Sequence, residues 1–522
     1  MDDPELTAPP LKPPLADTSA PRDGEPAADD VDRILRWQEE RIARKLRGEY
    51  ESAVLHLSDV VNSNLATPLR IASVRVQGAA HTRASFIGSL ITPLLPLPQD
   101  PTTLADVLHT TRHVGAVLQQ TDIFQAVDAR LERARDMLDA VDVVFRTRER
   151  GRLFLSTSTQ VGNNEGGASA TCRVRNAFGG AETFEANLAF ATTTRVAFGA
   201  SLSAPLTHTL ATRGELAVFA QERDNSSFAS SAEGVRGLRA VVRTGSADSS
   251  RGKHEFAYEA VLRHIGNLAP TASITYVWLF FAYLSQSLVA RSDARYLDTD
   301  ASRDARMREA AGQSVKSAVS HTWTRDTRDD RLLGTRGAYV RLAHELAGLG
   351  GDAAFVKSEA QAQGARRLLP GLIMSLAGRT GLLWGLGRPT LFSDRFQLGG
   401  PLSVRMFRAN GMGPRDGPDS LGGELYWAAG LSLISDIPRK PHWPVKIHGF
   451  VNAGRLDGID QSKTLVQNVL ATITKPSVSA GVGLVYKLDP VRIELNFGAP
   501  LVASASDGVR KGIQVGIGLD FL

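Results

Sequence analysis

The stretches VRIELNF (491–497) and GIQVGIGLDFL (512–522) decide the fold. In the first, Val491, Ile493, Leu495 and Phe497 alternate with Arg492, Glu494 and Asn496. In the second, Ile513, Val515, Ile517, Leu519 and Phe521 alternate with Gln514, Gly516, Gly518 and Asp520. A period of two is the mark of a strand whose faces meet different media. The same alternation runs through Arg195–Leu202 and recurs from residue 150 onward, giving about 16 segments of strand length separated by turn-rich stretches. One apolar and one polar face per strand suits a sheet with hydrocarbon outside and a wet lumen inside. In lipid every backbone polar group must be bonded, so such a sheet closes on itself. The expected fold is therefore a membrane all-β protein, an antiparallel transmembrane β-barrel of about 16 strands over residues 150–522. A soluble sandwich or propeller is the alternative. It would need a second layer over the apolar faces, and no blade-length repeat is visible.

Composition allows this reading. The 522 residues are 43% hydrophobic and 22% charged, with 48 glycines and 7% aromatics. A helical membrane protein would be far more apolar. The net charge of +5 is mild over this length and does not call for nucleic acid. The single cysteine, Cys172, excludes an internal disulfide and a Cys-rich metal site. Residues 1–30 are acidic and rich in Pro and Ala, with neither the pattern of a secretory signal nor that of an Arg-rich matrix-targeting peptide. They read as a disordered tail, followed by a basic amphipathic helix over 31–48.

Residues 49–149 differ from the strand-rich remainder of the chain. After a leading helical segment, LRIASVRVQGA (69–79) reads as a strand. Helical patterns come next at 82–91 and 102–120, the second capped by Thr102 or Thr103. Strands are expected at 126–132 and 141–149. This order builds a compact α+β unit with two helices over one sheet face. No amphipathic helix is expected after residue 150. The apolar run ITYVWLFFAYLSQSLVA (274–290) lies within an insertion at about 266–311. It is at the short limit for a spanning helix and is better read as part of a long loop carrying an interfacial segment.

No catalytic signature appears. His254-Glu255 and His344-Glu345 begin like a zinc HExxH motif, but Tyr258 and Gly348 stand where the second His belongs. At period two, each His and its Glu also point to opposite faces. There is no phosphate loop and no nucleophile elbow. The chain is expected to be neither an enzyme nor a cofactor or metal binder.

The stretch 385–422 is too long for a plain turn and too apolar for a free tail. Phe392, Phe396, Leu402, Val404, Met406 and Phe407 suggest that it folds into the lumen. There Arg405 needs a partner, because an unpaired buried charge is costly. Val404-Arg405-Met406-Phe407 resembles the (V/I)RG(F/Y) signature of the BamA-type outer-membrane assembly family. Phe396–Gly400, Gly422-Gly423-Glu424 and Asp326–Asp330 with Gly334 and Gly337 also fit that family. The closest resemblance is to its mitochondrial branch, the core barrel subunit of the sorting and assembly machinery. A single strand-helix-helix-strand-strand unit would be a POTRA domain. Gln514, Gly516, Leu519 and Phe521 fit the mitochondrial terminal-strand signal.

The resemblance implies a multi-pass protein of the mitochondrial outer membrane, with its POTRA domain in the intermembrane space. It implies an insertase for β-barrel precursors, working through a lateral gate between first and last strands. Leu153, Leu155, Thr157 and Thr159 would mark the first strand. The implied partners are precursor barrels, intermembrane-space chaperones, peripheral subunits on the cytosolic face, further barrel subunits and the bilayer. A protein-conducting or solute pore of the same fold is the alternative. Two departures stand out. Met406 replaces the family glycine, which questions the tight backbone approach that Gly permits. Asn452 stands where bacterial members often carry Asp, so it can accept from Arg405 but not neutralise it. Glu424 is then the expected ion partner, with Asp326 a further candidate.

Overall fold

A computed structural model describes residues 36–40, 42–43, 59–96, 102–134, 139–162, 165–207, 210–269, 310–440, 443–488 and 491–518. The tail 1–30, most of the helix expected at 31–48, the apolar run 274–290, and Leu519 and Phe521 lie outside the described residues. Two compact units emerge, one of Met1–Gly151 with Phe178–Ala181, the other of the remainder.

The smaller unit contains β1 (Arg70–Gln77), α1 (Ala84–Ile91), α2 (Leu104–Gln120), β2 (Phe124–Arg133) and β3 (Ala140–Glu149). β3 is central, parallel to β1 and antiparallel to β2. Thr103 starts α2 with a capping box, accepting from the Asp106 N–H while the Asp106 carboxylate accepts from the Thr103 N–H. The apolar stripe of α2, Val114 and Leu118, packs with Ile91, Ile123, Phe124, Val143 and Phe145 into a closed core.

The larger unit is one 16-stranded antiparallel sheet. Its strands are β4 (Leu153–Gly162), β5 (Glu165–Arg175), β6 (Thr183–Ala191), β7 (Thr194–Pro205), β8 (Thr212–Asp224), β9 (Ala232–Gly245), β10 (Lys253–Gly266), β11 (Gly312–Asp326), β12 (Arg336–Gly351), β13 (Phe355–Leu369) and β14 (Leu372–Gly385). They continue as β17 (Leu425–Asp436), β18 (Val445–Asp457), β19 (Ser477–Leu488), β20 (Val491–Val502) and β21 (Gly512–Gly518). A small hairpin, β15 (Arg415–Asp416) and β16 (Asp419–Ser420), lies in the long loop between β14 and β17. The strands of the large sheet pair in strict chain order, as up-and-down connectivity demands.

One face of this sheet is apolar and exposed, for example Leu216, Val218, Leu238, Val242, Phe256, Tyr258 and Leu262. The opposite face pairs its charges, as in Arg239 and Arg243 with Glu255. The sheet curls around the loop between β14 and β17, which touches β10 through Asp394 and Arg263 and reaches β21 through Met406 and Gln514. At the seam, β4 and β21 approach within 8 Å between Cα atoms. Among the described residues they form no strand pairing.

Among the described residues after 150, one α-helix departs from expectation. α3 (Leu465–Thr474) joins β18 to β19, opened by a capping box of Thr464 and Gln467. Its buried Asn468 and Thr472 face the sheet, where the Trp427 indole N–H donates to the Thr472 carbonyl at 3.1 Å.

Candidate functional site

The site lies on the inner face of β18–β21, where the alternation leaves a band of small and polar side chains. Asn452, Ser479, Glu494, Asn496 and Gln514 are all buried. Into this band comes the loop that starts after Gly385. Val404, Met406 and Phe407 are fully buried, and Val404 and Phe407 pack with Leu398, Met412, Ala428 and Leu456. Gly454 makes room, since a Cβ there would sit 2.9 Å from Val404 Cγ2.

Arg405, completely buried, meets this band with its guanidinium. Nε donates to Glu494 Oε2 at 2.9 Å and Nη2 to Glu494 Oε1 at 3.2 Å, a bidentate fork. Nη1 donates to Asn452 Oδ1 at 3.1 Å, and the cation lies 5.2 Å from the Phe450 ring centroid. Glu494 also accepts from Arg492 and, at 3.0 Å, from the Asn496 amide. Asn496 Oδ1 in turn lies 2.7 Å from His448 Nε2. One carboxylate thus serves two cations at the centre of a polar chain.

The loop backbone is held as closely. Ser479 Oγ donates to the Arg405 carbonyl at 2.7 Å. Gln514 on β21 accepts from the Met406 N–H and donates to the Phe407 carbonyl, both at 2.9 Å. Met406 has φ +66°, the left-handed region where its side chain is disfavoured. This backbone conformation accounts for a glycine preference at the position, and here the buried methionine side chain accompanies it. The Gln514 amide is a matched two-point clamp. Gln514→Leu leaves a buried N–H and a buried C=O unpaired, at about 2 kcal/mol. The expected result is faster protease cleavage between residues 400 and 412, measured in detergent-solubilised protein.

Two expected partners of Arg405 are corrected. Glu424 is not its counter-ion. It accepts from the Thr390 hydroxyl and, at 3.0 Å, from the Ile459 N–H, so it fixes the base of the loop while Arg405 sits deeper against β20. Asp326 is also elsewhere, paired with Arg328 at 2.9 Å. It ends β11, at the opposite end of the strands from the loop's entry. The ion partner found among the described residues, Glu494, shows in the sequence only as the middle of an inward polar triple, Arg492, Glu494 and Asn496.

The segment after Asp326 has its own role. Lys487 pairs with Asp330, and Arg492 Nη1 donates to the Leu332 carbonyl at 3.3 Å. Leu333 packs with Ile373, Ile434 and Val485. Burial pushes the Asp329 carboxyl up, but the Thr335 hydroxyl and the N–H groups of Arg336 and Thr335 outweigh it and bring it to about 2. The inner space is thus filled from both ends.

Leu153, Leu155, Thr157 and Thr159 share one face of β4 and are exposed, Leu155 lying opposite Cys172 of β5. Gln514 and Gly516 face inward on β21. The His254-Glu255 and His344-Glu345 pairs do split across the sheet. His254 lies 3.2 Å from His321, and Glu345 pairs with Lys316.

Residues 176–521 match the Omp85 superfamily domain. A SAM50-like protein of Schizosaccharomyces pombe is 33% identical over 484 residues, spanning 90% of this chain and 95% of the relative. The sorting and assembly machinery component 50 homolog of Homo sapiens is 29% identical over 430 residues, 80% of this chain and 84% of its own. Among solved structures, BamA from Haemophilus ducreyi lacking POTRA domains 1-3 superposes with a TM-score of 0.67. It covers 86% of this chain and 84% of that one at 16% identity, which is a likeness of fold. The chain belongs to the Omp85 superfamily, in its SAM50 group of barrel-assembly proteins, and is a multi-pass β-barrel of the mitochondrial outer membrane.

Proposed function

We propose that the protein folds and inserts β-barrel precursors into the mitochondrial outer membrane through the seam between β4 and β21. The observation that carries this reading is the absence of strand pairing between those two strands among the described residues. In hydrocarbon, unpaired backbone groups cost several kcal/mol each, so both edges attract any strand that can complete them. A precursor's terminal strand can do so by main-chain hydrogen bonds, with little demand on its side chains. No nucleotide is needed, because each added strand buries apolar surface in lipid and satisfies its backbone.

The Arg405–Glu494 fork and the Gln514 clamp fit a latch. They tie the loop to β20 and β21, keeping the last strand in place while the β4 edge is offered. The small unit is proposed to act as a POTRA domain in the intermembrane space, receiving precursors from chaperones there by strand addition at its β1 or β2 edge. Peripheral subunits would dock on the cytosolic loops, and further barrel subunits would sit beside it in the membrane. A conducting pore fits less well, since the loop after Gly385 and the segment after Asp326 occupy the inner space.

The test places a photo-crosslinker in the terminal strand of an arriving precursor. Adducts are expected on Leu153, Leu155, Thr157 and Thr159 of β4. Labelling confined to the inner face of β10–β13 would instead support passage through the lumen.

A further inference from the structure

We propose that the outer face of β7–β11 carries a binding site for an anionic phospholipid, with Arg236 as the phosphate ligand. The structure has an open groove of about 470 Å³ on this face. Its apolar wall is Val196, Phe198 and Leu262, all exposed on the lipid-facing rows. Its polar wall is Arg236, His264 and Gln313, with the Glu222 carboxylate also on the groove.

Register fixes how these groups lie together. Arg236 stands between Ala220 of β8 and Leu262 of β10. His264 stands between Gly234 of β9 and Gln313 of β11, two residues nearer the strand end. Residues 232–242 of β9 alternate, and Leu238 and Val242 on the row of Arg236 are exposed to lipid. A full positive charge therefore projects from an apolar row, four positions inside the end of β10 at Gly266.

A charge on the lipid face is destabilising in proportion to its depth, and a guanidinium does not lose its proton to escape that cost. It must find an anion. Among the described residues, Arg236, His264 and Gln313 have no side-chain hydrogen bond or ion pair. The nearby carboxylate, Glu222, lies 3.8 Å from Arg195, whose other contact is Asp224 at 2.7 Å. Between β10 and β11 the run 274–290 contains no Asp or Glu, and Asp293, Asp298, Asp300, Asp304 and Glu309 are matched in number by Arg291, Arg295, Arg303, Arg306 and Arg308, so residues 270–309 carry no net negative charge.

A phospholipid matches each wall. Its phosphate can take a bidentate fork from Arg236, and the headgroup can bond His264 and Gln313 nearer the rim. An acyl chain can lie along Phe198 and Leu262 toward the membrane centre. Gly234 leaves the space between Glu222 and His264 without a side chain. The site is several strands from the β4–β21 seam and does not depend on precursor insertion.

The test uses full-length protein in phosphatidylcholine nanodiscs doped with photoactivatable phosphatidylglycerol or, in parallel, photoactivatable phosphatidylcholine. Labelling of the 196–198 and 262–264 peptides is expected to be about five-fold higher with the anionic probe. Arg236→Gln should bring it to the phosphatidylcholine level, and Arg236→Lys should retain most of it. Equal labelling by the two probes would overturn the site, leaving ordinary boundary lipid. A crosslinker at Gln313 in intact mitochondria gives the second arm. Lipid adducts support the proposal, whereas adducts to another protein or to residues 270–309 assign the groove to that occupant and overturn it.

Discussion

Glu494→Gln should be among the most damaging single substitutions in the barrel. The carboxylate receives Arg405 through two hydrogen bonds and also pairs with Arg492. Arg405 is completely buried, and the Arg492 side chain is 7% exposed. Removing the negative charge between them takes from two buried cations the carboxylate they share. Breaking a buried pair by deleting one partner costs about 3–5 kcal/mol, and here the two remaining cations also repel. The folded barrel should therefore unfold at a lower temperature in a heat-modified gel-shift series, and precursor assembly should fall with it. Glu494→Asp keeps the charge on a shorter stem and should recover part of both. A wild-type melting profile for Glu494→Gln would mean that this fork does not latch the barrel.

The second large effect comes from the seam. Cysteines at Leu155 and Val515, in a Cys172→Ser background, can be joined by a short bismaleimide. Both positions are exposed on the two facing terminal strands. The linked protein should keep its fold, because it gains a constraint and loses no buried contact. New precursor insertion should drop to background, while the unlinked double variant behaves as wild type. Undiminished insertion by the linked form would mean that precursors enter the bilayer without parting these strands.

Much of this fold is legible in the sequence because the physics acts strand by strand. Lipid and lumen select opposite residues at alternate positions, so each strand announces itself locally, as Val491–Phe497 does. A cap at Thr102 or Thr103 is legible for the same reason, and the structure assigns it to Thr103, whose partner Asp106 is three residues away. The site is less legible because its pairings are not local. Arg405 and Glu494 are 89 positions apart. To choose Glu494 over Glu424 requires the registers of β18, β19 and β20, which place Asn452, Ser479 and Glu494 on neighbouring strands facing one interior. Asn452 is the useful warning that the charge lies elsewhere. Helix α3 escapes a reading by period, although Thr464 and Gln467 form a capping box, because its ten residues sit among segments of strand length.

The unequal lengths of the strands bear on where a new barrel meets least resistance. Strands β4, β5 and β6 have 10, 11 and 9 residues, whereas β11, β12 and β13, at the far middle of the sheet, have 15, 16 and 15. At roughly 3.4 Å per residue and a tilt of about 45°, the short group rises about 24 Å and the long group about 37 Å. An unstressed hydrocarbon core is about 30 Å thick. Leaflets would therefore pinch beside the short staves, and a hairpin entering by the proposed seam would dip its polar turn through less oil there than beside the long group.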